Sequence, residues 1–142
     1  MSNKTIAIIK PDAVAKNVIG EIVAKITQAG FKVNGLRLIR LTRAQAGAFY
    51  EIHKDRPFYG ELIDYMTSGP VVPISLEKEN AVEDFRKWIG ATNPAEAEEG
   101  TIRKLYGAGI EANAIHGSDS DENAAIETNF FFSRSDIVNI NQ

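Results

Sequence analysis

Thr5-Ile6-Ala7-Ile8-Ile9-Lys10-Pro11 is the segment on which the fold turns. Its apolar run is nearly continuous rather than alternating, which suits a strand buried on both faces. Pro11 biases Lys10 toward extended backbone, so the strand delivers that lysine at its end. There it is either a solvated terminus or a charge placed for an anion. A strand of this kind needs a sheet around it, and the order of the remaining segments says which sheet.

Downstream, Asn17 can cap a helix whose apolar residues Val18, Ile19, Ile22, Val23 and Ile26 follow helical spacing, with Gly30 as its C′ residue. Phe31 to Leu41 reads as a strand whose apolar parity changes across Gly35, a bulge or bend. Thr42 with Gln45 resembles a capping box opening a short helix to about Tyr50. His53 to Pro57 is a polar turn. A second short helix from about Phe58 puts Phe58, Leu62 and Met66 on one stripe, and Ser68-Gly69-Pro70 breaks it. Val71 to Leu76 is another buried strand, with Pro73 awkward inside it because proline donates no ladder bond. Asn80 with Glu83 starts a helix with Val82, Phe85 and Ile89 inward and Gly90 as its stop. Ala91 to about Glu111 is polar and irregular. Ser120 or Asp119 caps a short helix through about Glu127, and Asn129-Phe130-Phe131-Phe132 makes a last strand. The tail from Ser133 to Gln142, with Ile137, Val138 and Ile140, packs on the surface or on a partner chain. Strand, helix, strand, short helices, strand, helix, loop, strand describes an α+β sandwich, one sheet with helices on a face. The ferredoxin-like βαββαβ arrangement, an antiparallel four-stranded sheet covered by helices, is the simplest topology with that order.

The 142 residues are expected to form one domain, 1–142, with a real core. A net charge of -3, from 19 acidic and 16 basic residues, argues against a nucleic-acid binder working through bulk positive charge. Cysteine is absent, which removes disulfides and thiolate metal sites, and two histidines, His53 and His116, are too few for a histidine-rich zinc site. No segment has the apolar length of a signal peptide or a membrane span, so a cytoplasmic protein is expected.

The chemistry concentrates in Asn113-Ala114-Ile115-His116-Gly117-Ser118-Asp119-Ser120. These eight residues hold an imidazole, a carboxylate, an amide and two hydroxyls, with no apolar period to justify them by burial. A neutral imidazole is a nucleophile near neutral pH once a neighbour fixes its tautomer. Ser118 or Ser120 could orient that neighbour or cap a helix. Lys10, Arg86 and Arg103 are each ordinary surface charges alone, but with His116 they suit a polyphosphate. No GxxxxGK[ST] occurs, and no GxGxxG follows a strand.

Ala114-Ile115-His116-Gly117-Ser118-Asp119-Ser120 resembles the active-site signature of nucleoside diphosphate kinases, and Ile8-Ile9-Lys10-Pro11-Asp12-Ala13 their opening strand and loop. Arg56-Pro57-Phe58-Tyr59, Ser68-Gly69-Pro70-Val71-Val72, Gly90-Ala91-Thr92-Asn93-Pro94-Ala95 and Gly100-Thr101-Ile102-Arg103 are similar to further segments of that family, in order along the chain. The resemblance implies that His116 takes the γ-phosphoryl group of a nucleoside triphosphate and passes it to a nucleoside diphosphate, in ping-pong fashion. It implies that Glu127 bonds the other ring nitrogen, with Ser118 supporting Glu127. Lys10, Tyr50, Arg86, Thr92, Arg103 and Asn113 would hold the phosphates, the histidine and the ribose hydroxyl. Phe58 would stack on the base, with Leu62 and Ile110 completing the slot, and stacking tolerates every base. Mg²⁺ would arrive on the nucleotide phosphates, with Asp119 the nearest carboxylate, through water. The family implies a homo-oligomer, hexamer or tetramer built from dimers, with no membrane or specific nucleic-acid partner. Glu98-Glu99 stand before Gly100 where many relatives carry proline, a less stiff loop, and the C-terminus is shorter than in the eukaryote-like members. Two other readings compete. One is a non-catalytic nucleotide-binding regulatory module on the same fold, which the presence of His116 disfavours. The other is a serine hydrolase using Ser118, which the missing G-x-S-x-G elbow disfavours.

Overall fold

The computed structural model describes residues 3–110 and 112–139. Its four strands are β1 (Lys4–Ile9), β2 (Lys32–Leu36), β3 (Val72–Glu77) and β4 (Ile115–Gly117). They form one antiparallel sheet in the order β2-β3-β1-β4. The helices among the described residues are α1 (Pro11–Ala15), α2 (Ile19–Gln28), α3 (Arg43–Phe49), α4 (Tyr59–Met66), α5 (Ala81–Ile89), α6 (Ile102–Tyr106) and α7 (Asp121–Phe131). This is the ferredoxin-like βαββαβ order with short helices inserted between its elements.

Unbroken apolar character in β1 now has its cause. Ala7 and Ile9 lie in a core with Ile22, Ile26, Phe85 and Ile89, under α2 and α5. Ile6 and Ile8 lie in a second core with Ala46, Ile63, Met66 and Phe131, under α3, α4 and α7. Helices therefore cover both faces of the sheet, where the segment order alone suggested one. Each fully buried isoleucine contributes about 1.5–3 kcal/mol of transfer free energy.

Several local readings hold. Thr42 Oγ1 accepts from Gln45 N at 3.1 Å while Gln45 Oε1 accepts from Thr42 N at 2.9 Å, a closed capping box on α3. Gly30, at φ +94, closes α2 in a Schellman motif: its N–H reaches Thr27 O and the Phe31 N–H reaches Ile26 O. Register between β2 and β3 shifts between Val33 and Gly35, leaving Asn34 as the extra residue of a bulge. Pro73 sits in a central strand, but its carbonyl accepts from Arg37 N. Its missing donor therefore points at the edge where β2 pairing breaks off before the Ile39–Val71 bridge.

Other expectations are corrected. Asn17 does not cap α2; it turns through φ +61, and Val18 takes the N-cap. Asn80 precedes α5 at φ +55 without a side-chain cap bond. The strand from Phe31 stops at Leu36, and Phe31 is the core residue that follows the α2 cap. On α4 the buried stripe is Ile63 and Met66, with Leu62 half-buried and Phe58 exposed. The stretch from Ala91 carries a single 3-10 turn at Pro94–Glu96 and then α6, whose N-cap Thr101 accepts from Lys104 N. Asn129 to Phe132 is no strand. Burial of Ala124 and Phe131, seven residues apart, keeps α7 helical to Phe131, and the fourth strand is the histidine segment itself. In the tail, Ile137 packs against the second core and Val138 is exposed, whereas Ile140 lies outside the described residues.

Gly117 pairs with Ala7, so its missing side chain would point into the first core. A Cβ there would lie 2.9 Å from Phe85 Cδ2. Gly117→Ala is expected to cost about 1–3 kcal/mol through overpacking, read as a lowered thermal midpoint. An unchanged midpoint would mean that β4 has freedom this packing denies it.

Candidate active site

His116 is paired with Ile8 across β1 and β4, so it shares the face covered by α3 and α7. There its ring meets Phe49 edge-on, with centroids 6.1 Å apart. Glu127, two turns into α7, places Oε1 at 2.8 Å from His116 Nε2, and Ser118 Oγ donates to the same oxygen at 2.6 Å. An ionised carboxylate can only accept, so Nε2 carries the proton and the Nδ1 lone pair is left for chemistry. The two partners are about one-fifth exposed, at 23% and 19%. Ser118 is fully buried behind them. The helix that carries Glu127 starts at Ser120, whose Oγ accepts from Asn123 N at 3.0 Å; of the two capping candidates, the serine takes the role.

His116 and Glu127 open onto a cleft of about 360 Å³ that Tyr50, Arg86, Thr92, Arg103 and Asp119 also line. Arg103 is fixed by Nη1 to Gly90 O at 3.1 Å and by Nη2 to Ile115 O at 2.9 Å. Burial, and then the positive charge of Arg86, lower its pKa to about 10, which leaves it charged at neutral pH. Arg86 itself is exposed on α5. Burial first, and the charge of Glu127 second, push the Tyr50 phenol up, so it remains a neutral donor. Asp119 Oδ1 accepts from Asn123 Nδ2 at 2.6 Å.

Other expected site residues stand outside the cleft lining. Lys10 and Asn113 lie behind it, joined by Lys10 Nζ to Asn113 Oδ1 at 2.8 Å, and Asn113 Nδ2 donates to Thr92 O at 3.0 Å. Phe58 is 45% exposed at the start of α4, with Leu62 one turn on. Ile110, 62% exposed, is in the loop after α6. The sequence reading missed His53, which lines the cleft and has its ring centroid 5.6 Å from that of Phe58. It also missed Phe49, Ile52 and Asn123 in the lining. Three-residue spacing from Tyr50 to His53 was the available signal for the second histidine. Among the described residues no group of three or more histidine, aspartate or glutamate side chains is placed to hold a metal ion.

The arrangement offers an imidazole held at one nitrogen by Glu127 on the wall of a cleft with two guanidinium groups and a phenol, a setting for phosphoryl transfer rather than for acyl or hydride chemistry. Known proteins agree with it. The family model described as nucleoside diphosphate kinase matches residues 3–137. A nucleoside diphosphate kinase of Chlorobium limicola is 56% identical over 137 residues, covering 96% of this chain and 98% of that protein. A crystal form of the Aquifex aeolicus nucleoside diphosphate kinase superposes with a TM-score of 0.93 at 42% identity, over 97% of this chain and 100% of that one. A halophilic nucleoside diphosphate kinase from Halobacterium salinarum, in complex with CDP, gives 0.94 at 33% identity over 100% and 95%. By site, fold and sequence alike, the chain belongs to the nucleoside diphosphate kinase family.

Proposed function

We propose that residues 1–142 act as one domain in which His116 is the nucleophile of the nucleoside diphosphate kinase reaction. The observation that carries this reading is the bond from His116 Nε2 to Glu127 Oε1, 2.8 Å long, on the wall of a cleft lined by Arg86 and Arg103. The Nδ1 lone pair attacks the γ-phosphorus of a nucleoside triphosphate. An N–P bond forms, the bond to the β,γ-bridging oxygen breaks, and the nucleoside diphosphate leaves with that electron pair. A second nucleoside diphosphate enters, its terminal oxygen attacks the same phosphorus, and the N–P electrons return to Nδ1. The proton on Nε2 stays against Glu127 throughout, and Ser118 holds that carboxylate still. Arg86, Arg103 and Lys10 offset phosphate charge, while Tyr50, Thr92 and Asn113 position the histidine, the phosphates and the ribose hydroxyl.

Phe58, with Leu62 and Ile110, forms the base slot in this reading, and a relative solved in complex with CDP supports a nucleotide as the ligand. Phe58→Ala is expected to weaken binding by about 1–3 kcal/mol for purine and pyrimidine diphosphates alike, because every base has a π-face. Titrations with ADP, GDP, CDP and UDP measure it, and a loss limited to one base would point to edge recognition instead. Mg²⁺ fits the donor set as an ion held mainly by substrate phosphates, with Asp119, among the described residues, the one cleft carboxylate besides Glu127. When bound, it supplies charge neutralisation at the phosphates. A cytoplasmic setting is part of the same proposal. So is assembly as a hexamer or tetramer built from dimers, which solution mass measures.

Incubation with γ-labelled ATP alone tests the core of this proposal. An acid-labile, alkali-stable label on His116 is expected, and no label would leave the regulatory-module reading in its place.

A further inference from the structure

Asp12 does not line the cleft, yet both of its carboxylate oxygens are engaged, one by the segment that carries His116 and the other by α4. Oδ2 accepts the Ala114 N–H at 3.1 Å, and Oδ1 accepts the phenol of Tyr65. An acidic residue in the first turn of a helix is ordinary, but α1 has only five residues and neither oxygen turns to its amides.

Ala114 is the unusual partner. It is fully buried and lies at φ +74. The other non-glycine residues with positive φ among those described, Asn17 and Asn80, are of the type that tolerates this region. Alanine has no side chain to bond its own backbone, so the conformation persists only where the surroundings over-determine it. They do so here from both sides of the residue. Lys10 N donates to Ala114 O at 2.8 Å, while Asp12 takes the Ala114 N–H. Two residues later comes His116, and between them Ile115 O receives the Arg103 guanidinium at 2.9 Å. Burial, and then the bond to Asp12, push the Tyr65 phenol up, which keeps it a donor.

We propose that Asp12, steadied by Tyr65, is a positioning residue that holds Ala114 at positive φ and thereby sets the direction in which His116 enters the cleft. This rests on His116 being the phosphoacceptor. The role belongs to an acceptor atom, not to a charge: an asparagine oxygen can take the Ala114 N–H while its amide donates to the Tyr65 hydroxyl.

Single-turnover phosphorylation of His116 by ATP tests it, with nucleotide affinity measured alongside. Asp12→Ala is expected to slow phosphorylation on the order of tenfold to 100-fold through misplacement, with affinity unchanged. Asp12→Asn is expected to keep most of the rate. Adding Ala114→Gly to Asp12→Ala is expected to restore much of it, because glycine takes positive φ without cost. Asp12→Asn as slow as Asp12→Ala, or no rescue by glycine, would overturn the proposal. If Asp12→Ala alone does not fold by circular dichroism, the double variant decides: folded and phosphorylated supports the role, unfolded or inert overturns it. Wild-type protein without phosphohistidine would overturn the reading of His116 itself. Phosphohistidine in wild type at a rate indifferent to Asp12→Ala overturns only the positioning role.

Discussion

His116→Ala is expected to lower phosphoryl transfer on the order of 10⁴-fold or more, since removing a covalent nucleophile leaves only binding and charge stabilisation behind. Stability should barely move. The ring is partly exposed and touches Phe49 edge-on, and Glu127 keeps its bond from Ser118 when the imidazole is gone. Loss of the one bond to Glu127 costs about 0.5–1.5 kcal/mol, a small part of a domain's stability. Steady-state kinetics with ATP and a nucleoside diphosphate, beside thermal denaturation, make the comparison. Activity above a few per cent in a folded variant would exclude the covalent route through His116. Retained transfer together with a label on another residue would direct attention to His53, the second imidazole in the cleft.

Much of the fold was legible because burial leaves a mark on composition. β1 and β3 read correctly since helices on both faces demand apolar residues at both parities, and Ile6 to Ile9 and Val71 to Leu76 supply them. Cap chemistry was equally legible at Thr42 and Gly30, where the motif is local. β4 was not, because it spans three residues at a sheet edge and two of them, His116 and Gly117, are chosen for the site and for close approach to Phe85. The run Phe130-Phe131-Phe132 misled by β-propensity, a preference that reports fit to a half-buried surface; Phe131 and Phe132 are buried in the second core instead. The chemistry-bearing residue types could be named one by one. The resemblance joined Glu127 to His116 and Ser118, but Lys10 with Asn113 and Asp12 with Ala114 are about one hundred residues apart and meet only through β1–β4 pairing.

Glu127→Gln separates the role of charge on that carboxylate from the role of its shape. The pair at 2.8 Å fixes which nitrogen is free: with Nε2–H given to Oε1, only Nδ1 can attack. As the N–P bond forms, positive charge builds on the ring, and the carboxylate 2.8 Å away steadies it. Glutamine keeps the volume and can keep one accepting oxygen for both Nε2–H and the Ser118 hydroxyl, so the geometry can survive. The charge cannot. If the amide turns instead, it donates to the ring and selects the wrong tautomer, a change that costs about 10⁴-fold in the comparable aspartate–histidine pair of serine proteases. The expected loss in His116 phosphorylation is therefore about 100-fold or more, equivalent to about 2.7 kcal/mol of transition-state stabilisation. Nucleotide affinity should stay nearly unchanged, because Glu127 acts through His116 rather than on substrate. A glutamate that merely occupied a solvated helix position would lose a few tenths of a kcal/mol of stability and no rate. Pre-steady-state phosphorylation by ATP tells the two apart by a factor far outside its error, and equal rates in wild type and variant would remove the Glu127 charge from the chemistry.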